Sequence, residues 1–305
     1  MLHGVGVIGD GGASGATTGK YPGMLSSLRN INFGGPSLTY NLATSGATSS
    51  QVIAPGNQVS QLVTQVQNGN VTLAYVAIGE NDIFSIRTSI ANGSLSGAAL
   101  LSAENTLASN IESGVSSLLN SGGRVVLGGI SDIVYAPIAA SILADPIQKG
   151  RLEDALSAVN SQLIGFSAQK GIPFINFFGL EKQVYESGHF VIGGVNISLT
   201  TFGADPHNFF QDQFNAGIAI RGEIANLWLQ ATNMGYGTNV PLLTDQEILT
   251  LAGIGNEFQH ETFLGAVPLA QFVINVPEPS SWLLLAVGLG ALVGCARRTK
   301  RAKSS

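Results

Sequence analysis

Short apolar runs alternate along this chain with longer segments in which apolar side chains recur every three or four residues. The apolar runs predict five β-strands, over residues 4–8, 38–42, 72–78, 124–127 and 173–177. The three-to-four spacing predicts two long amphipathic helices, with apolar faces formed by Leu100, Leu107, Ile111, Val115 and Leu118, and by Leu152, Leu156, Val159, Leu163 and Phe166. Strands separated by helices favour a three-layer α/β/α fold with a central parallel sheet.

Three further elements are predicted downstream of these strands. A last helix of the main layer covers about 217–230, and Thr244 with Glu247 forms a capping box that opens a short helix. Residues 271–276 resemble a final strand. We therefore predict a main domain over 1–235, a hairpin, cover or linker over 236–275, and a distinct tail over 276–305.

The tail combines three features in a fixed order. Pro277-Glu278-Pro279 precedes an apolar run over 282–296, and five of the 14 basic residues lie in the last nine positions. Fifteen helical residues span roughly 22 Å, which is short of a hydrocarbon core of about 30 Å, but Ser280, Ser281 and a snorkelling Arg297 can extend the helix. We predict a single membrane helix with its basic end in the cytoplasm. The alternative is a buried C-terminal helix.

This order of features resembles the PEP-CTERM sorting signal. The resemblance implies export, membrane retention, processing near residues 277–279, and an exosortase-type sorting enzyme as a partner. An exported protein should begin with a signal peptide, but Met1-Leu2-His3 leads straight into the first strand. We expect the true start to lie upstream or the chain to be truncated. The rival interpretation is a tail-anchored cytosolic protein.

Composition narrows the classes of partner. Only 11% of the residues are charged, and the residues before Arg297 include nine basic and 19 acidic side chains, so we expect no nucleic-acid partner. Cys295 is the only cysteine, which rules out an intrachain disulfide. There is no phosphate-binding loop, nucleotide fingerprint or metal-ligand spacing among His3, His189, His207 and His260, and we expect no cofactor and no metal.

Polar motifs follow three of the predicted strands, and a fourth lies near the end of the domain. They are Gly9-Asp10-Gly11, the segment 41–48 with Gly46, Gly79-Glu80-Asn81-Asp82, and Asp212-Gln213-Phe214-Asn215. The carboxyl ends of parallel strands lie along one edge of a sheet, and sites in such folds form there. The sequence therefore predicts one site built from these motifs.

In order and spacing, over roughly residues 4–230, these motifs resemble the sequence blocks of the SGNH (GDSL) hydrolase family. The resemblance implies an SGNH/flavodoxin-like fold and ester hydrolysis by a serine nucleophile with a histidine base. It also implies that Gly46 and Asn81 supply hydrogen bonds to an oxyanion, and that Asp212 orients the base.

The two reactive positions depart from the family pattern. Gly11 stands where the family has serine, and Asn215 stands where it has histidine. Glycine has no nucleophile, and an asparagine amide cannot act as a general base. The nearest substitutes are Ser14, displaced by one helical turn of about 5 Å, and His207 upstream of Asp212.

Three functions remain open at this stage. We favour an exported, surface-anchored hydrolase-like protein with lost or weak activity, which binds an acyl group or an acetylated polysaccharide. The first alternative is a working esterase or lipase-like enzyme that uses Ser14 and His207. The second is a non-catalytic surface or exopolysaccharide-binding protein.

Overall fold

A computed structural model describes residues 5–9, 39–261 and 269–274 of the chain. All five strands predicted from the apolar runs are present, within one or two residues of the predicted bounds. Four further strands follow them. The nine strands in chain order are β1 Val5–Gly9, β2 Thr39–Asn41, β3 Leu73–Ala77, β4 Arg124–Gly128, β5 Phe174–Ile175, β6 Phe190–Ile192, β7 Val195–Phe202, β8 Asn208–Phe210 and β9 Val273–Ile274.

Nine α-helices lie within the described residues. They are α1 Ser49–Ile53, α2 Gln58–Gln67, α3 Glu80–Ala91, α4 Gly97–Asn120, α5 Ala140–Leu143, α6 Pro146–Lys170, α7 Phe177–Ser187, α8 Ile218–Tyr236 and α9 Asp245–Ala252. Helices α4 and α6 bury the two apolar faces predicted above. The helix predicted over 217–230 is present and extends to Tyr236.

The main sheet has six strands in the order β2-β1-β3-β4-β5-β9. The first five are parallel, in the flavodoxin-like order 2-1-3-4-5. The sixth strand, β9, runs antiparallel to β5, with Phe174 opposite Ile274. The prediction of a purely parallel sheet is therefore wrong for its last strand. The sheet is mixed, because β9, from the C-terminal part of the described chain, pairs antiparallel with β5 at the edge of the sheet.

The two faces of this sheet are buried against different helices. Along β3, Leu73 and Tyr75 face one core while Ala74 and Val76 face the other, as the two-residue period of a strand requires. Helices α2, α4 and α6 cover one face, and α7, α8 and α9 cover the other. These layers give the predicted α/β/α architecture.

A small second sheet was not predicted. Strands β6 and β7 form an antiparallel hairpin across Gly193-Gly194, and β8 pairs in parallel with β7. Phe190 and Phe209 of this sheet pack edge to face, with ring centroids 6.0 Å apart, in the core that also contains α8. The hairpin therefore extends the core on one side of the main sheet.

Residues after Tyr236 pack on the same core as far as the structure describes them. The predicted capping box of Thr244 and Glu247 opens α9, whose Ile248 and Leu249 are buried with α8. The Asn226 side chain on α8 bonds both backbone groups of Leu243, at 2.7 and 3.0 Å. The domain boundary near residue 235 stays a prediction.

The predicted membrane helix over 282–296 and the start of the chain before Val5 lie outside the described residues. Within the described ranges, no helix has both the length and the apolar character needed to cross a membrane.

The carboxyl ends of β1 and β3 lie unusually close together. Gly9 pairs with Ala77, and a Cβ atom at Gly9 would lie only 2.2 Å from the Ala77 carbonyl oxygen, so this approach requires glycine. The buried Gln58 of α2 accepts a hydrogen bond from the Gly9 N–H at 2.8 Å and donates one to its carbonyl oxygen at 3.0 Å. One side chain thus satisfies both backbone groups at the end of the strand.

We predict that Gln58→Ala lowers the free energy of unfolding by about 2 kcal/mol, because it leaves the buried Gly9 N–H without a partner. Urea unfolding followed by circular dichroism measures the change. Gln61→Ala on the same helix is the matched control, since Gln61 is exposed and bonds only the exposed Gly56 carbonyl. Equal losses in the two variants would contradict the role given to Gln58.

Candidate functional site

The second and third motifs meet at the carboxyl edge of the sheet. Gly79 caps α3 with a φ of 120°, a conformation that favours glycine, and Asn81 lies in the first turn of that helix. The Asn81 side-chain amide donates a hydrogen bond to the Ala47 carbonyl oxygen at 3.2 Å. Gly46, with a φ of 78°, directly precedes Ala47. The two residues predicted to bind an oxyanion are therefore neighbours.

Asp82, the residue after Asn81 on α3, also holds the segment that follows Gly46. Its carboxylate accepts hydrogen bonds from the Ser49 N–H and hydroxyl, both at 2.8 Å. The Asn110 amide of α4 donates to the same hydroxyl at 3.1 Å. Asp82 thus caps α1 and ties it to α3 and α4, which is a positioning role.

The last motif folds into a tight turn around Asp212. Its carboxylate accepts hydrogen bonds from the Phe214 and Asn215 N–H groups, each at 2.7 Å, and from the Asn215 side-chain amide at 2.9 Å. Partial burial raises the pKa of Asp212, but the bonds from Asn215 and Phe214 outweigh it and bring the pKa below its usual value. Asp212 and Asn215 are therefore a bonded pair, and one N–H of the Asn215 side-chain amide is used by the carboxylate.

The third and last motifs face each other across one cavity. The Phe84 ring on α3 packs against the Phe214 ring, with centroids 5.2 Å apart. Beside them lies a cavity of about 80 Å³, which we call the glutamate cavity. Its described lining residues are Ala77, Glu80, Ser131, Ile133, Ala136, Phe177, Leu180, Glu181, Phe209, Phe210, Phe214, Asn215, Ala216, Ile220 and Ile224.

Two carboxyl groups lie in this mainly apolar wall. Glu80 accepts a hydrogen bond from the Ser131 hydroxyl at 2.6 Å, and burial raises the pKa of Glu80 despite this bond. Burial, together with the charges of Glu80 and Asp132, raises the pKa of Glu181 well above its usual value. Asp132 itself is fully buried, and burial with the charge of Glu153 raises its pKa to about 7.

His207, the alternative base, lies in the turn before β8. Its Nδ1 bonds Asp205 at 2.7 Å and its Nε2 bonds Glu257 at 2.9 Å. The bonds to Glu257 and Asp205 raise the pKa of His207. Both ring nitrogens are thus engaged by carboxylates, and His207 is not among the described residues that line the glutamate cavity.

The predicted nucleophile position and its substitute, Gly11 and Ser14, lie outside the described residues. Among the residues that the structure does describe, no three His, Cys, Asp or Glu side chains are arranged to hold a metal ion.

Comparison with known protein families concerns the tail. Residues 275–301 match the family model described as the PEP-CTERM protein-sorting motif. The tail is a PEP-CTERM protein-sorting motif. In bacteria, PEP-CTERM motifs mark proteins for export and for anchoring at the cell surface or membrane, and they are recognised by exosortase-type sorting machinery. No curated protein matches the chain in sequence.

Several solved structures of ester hydrolases are similar to this chain in fold. An extracellular lipase from Streptomyces rimosus is 19% identical, with a TM-score of 0.41, over 58% of this chain and 81% of its own. The esterase EstA from Pseudoalteromonas sp. is 14% identical, with a TM-score of 0.46, over 77% of this chain and 100% of its own. A variant of an acetyl xylan esterase from Geobacillus stearothermophilus is 13% identical, with a TM-score of 0.46, over 75% and 94%.

The sequence motifs did not identify Glu181, although a signal for it exists. On α7, Phe177, Leu180, Glu181 and Val184 follow the three-to-four spacing of a buried face, so a charged residue interrupts an apolar stripe. Glu80 is also part of the third motif, but the family resemblance gives an oxyanion-binding role only to Asn81. Ser131 has no local signal, because only the fold brings the end of β4 to this cavity.

We predict that Asp212→Asn destabilises the protein at neutral pH and that this difference shrinks in acid. The pKa of Asp212 is lower in the fold than in the unfolded chain, so its stabilisation is present above the usual value of about 4 and is lost as pH falls through the folded value. Urea midpoints at about pH 7 and about pH 3 test this. Asp154→Asn on the exposed side of α6 is the control, and an equal effect of both variants would count against the prediction.

Proposed function

We propose that this exported protein uses a hydrolase-like frame to bind a carbonyl-bearing ligand, such as an acyl group or an acetylated polysaccharide, without efficient ester hydrolysis. The observation that carries the proposal is the bonded pair of Asp212 and Asn215. In a serine hydrolase the corresponding pair would be a carboxylate and a histidine. Here the carboxylate orients an amide, which cannot take a proton from a nucleophile.

The retained groups support binding of a carbonyl oxygen. The side-chain amide of Asn81 has two N–H donors, of which the bond to Ala47 uses one. Gly46 lies in the adjacent turn, where a Cβ atom would meet no other atom within 4 Å. A carbonyl oxygen that enters beside Asn81 can thus be hydrogen-bonded without moving the turn.

The alternative of a working esterase requires His207 to act as base. The two carboxylates that bond its ring favour the protonated form, which cannot accept a proton. To serve Ser14, the ring would have to release at least one of these bonds. The geometry around His207 therefore favours a structural role, and the proposal of lost or weak hydrolysis stands ahead of this alternative.

We predict that the full chain, purified in mild detergent, does not hydrolyse p-nitrophenyl acetate at ordinary enzyme rates of about 1–10³ per second. Loss of the nucleophile and the base leaves at most about 10³–10⁴-fold acceleration over water. Release of p-nitrophenol is the measurement. Ordinary turnover that Ser14→Ala and His207→Asn each abolish, while Ser45→Ala retains it, would replace this proposal with the active esterase.

We predict that Gly11→Ser combined with Asn215→His raises ester hydrolysis by about 10²-fold or more, because the members of a triad act as a unit. Each single variant should stay near the parent rate, and adding Asn81→Ala to the double variant should reduce the gain. Circular dichroism establishes that each variant folds. A folded double variant with no gain in rate would show that the motifs have been placed at the wrong residues.

A further inference from the structure

The glutamate cavity combines two features that the proposed carbonyl site does not explain. Four aromatic rings line it, those of Phe177, Phe209, Phe210 and Phe214. Glu80 and Glu181 line the same cavity, and no Lys, Arg or His occurs among the described residues that line it. Aromatic rings and carboxylates share one chemical preference, which is for a cation.

We propose that the glutamate cavity binds the primary ammonium group of a small amine, with Glu80 and Glu181 as its anionic partners. The inference does not rest on the loss of hydrolysis, because no ester takes part in the binding. The proposed ligand is a cation, whereas a fatty acid or a phosphate is an anion.

The polar atoms at the cavity match an ammonium group in number. A primary ammonium has three N–H donors. Glu80 and Glu181 provide two acceptors, and the third is the side-chain oxygen of Asn215. One N–H of the Asn215 amide bonds Asp212, and the side-chain oxygen is the acceptor that Asn215 can offer to an ammonium group.

The volume limits what accompanies the ammonium group. The cavity of about 80 Å³ has roughly half the volume of an engineered cavity of about 150 Å³ that takes benzene. An ammonium group with two or three carbons therefore fits, as in n-propylamine or the amine end of an amino sugar. The phenylalanine rings then cover the carbons and face the charge.

The carboxyl group of Asp132, near Glu80 and Glu181, adds to the preference of the cavity for a cation. The buried Asp132 has one carboxyl oxygen, Oδ2, without a hydrogen-bond partner among the described residues, and its charge acts on Glu181. Tyr185 of α7 is a further titratable neighbour of Glu181. Beyond Asp132, Glu153 forms ion pairs with both Lys149 and Lys182, at 3.3 and 3.2 Å, so its single negative charge offsets one of these two positive charges.

Without a ligand, burial keeps the pKa of both cavity glutamates raised. A bound cation favours their ionised forms, so binding should release protons and become tighter as pH rises. The affinity should increase by up to about tenfold per pH unit while one proton is released. An alkylammonium ion stays charged throughout this range, because its pKa resembles the value of about 10 for lysine.

The test is a saturation-transfer NMR titration of the full chain with n-propylammonium, 1-propanol and propionate at about pH 8 and about pH 6. We expect binding of the ammonium with a Kd below about 10 mM at the higher pH, weaker binding at the lower pH, and no binding of the neutral or anionic analogues. Glu80→Gln and Glu181→Gln should each weaken binding at least about tenfold. Glu186→Gln, at an exposed position on α7, should leave it unchanged.

Three results would overturn the inference. Equal affinity for 1-propanol would show a merely apolar cavity, and absence of ammonium binding to the folded chain would show that the carboxyl groups have another role. Unchanged affinity in the folded Glu80→Gln and Glu181→Gln variants would place the amine elsewhere on the protein. Because glutamine preserves the size of glutamate, both variants should remain folded, and circular dichroism verifies this.

Discussion

The close approach of β1 and β3 at their carboxyl ends is the constraint on which the rest of the site depends. Gly9 allows the contact with Ala77, and Gln58 satisfies both backbone groups of Gly9 where the strand ends. The approach lies at the point of the sheet where the strand order reverses, which is where sites form in such folds. Asn81 lies near this point because α3 begins at Glu80, shortly after β3 ends at Ala77. A substitution that separated these two strands would therefore displace the site without touching any of its polar side chains.

The pair of Asp212 and Asn215 shows how the identity of one side chain sets the chemistry that a partner of a carboxylate can perform. A histidine at this position would present a nitrogen that accepts a proton while its other nitrogen bonds the carboxylate. Asparagine also donates to the carboxylate, at 2.9 Å, but what it presents on its other side is a carbonyl oxygen. That oxygen is a hydrogen-bond acceptor with no basicity near neutral pH. An asparagine at this position can therefore take part in binding a ligand but not in proton transfer.

Much of the architecture could be predicted from the sequence, because the main sheet consists of strands buried on both faces and separated by amphipathic helices. Runs such as the one in β3 are apolar throughout, and α6 has a buried apolar residue every three or four positions from Leu152 to Phe166. Strand β9 has only two residues and joins the sheet from a distant part of the chain, so its antiparallel direction has no local signal. The hairpin of β6 and β7 does have a local signal. The Gly193-Gly194 pair lies between two short apolar runs, which is typical of a two-residue hairpin turn. Motif spacing predicts Asn81 and Asp212 as site residues, whereas Ser131 and Glu181 come to the cavity only through tertiary packing.

Carboxyl groups that are partly or fully withdrawn from water, as in and beside this cavity, are costly for a fold that serves only as a scaffold. Glu80, Glu181 and Asp132 all have raised pKa values because burial penalises their ionised forms, and Asp132 has an oxygen without a hydrogen-bond partner among the described residues. Apolar side chains of similar volume at such positions are often neutral or stabilising. Proteins depart from the usual rules of packing mainly at functional or strained sites. This edge of the sheet therefore carries carboxyl groups whose charges a bound cation or a proton can compensate.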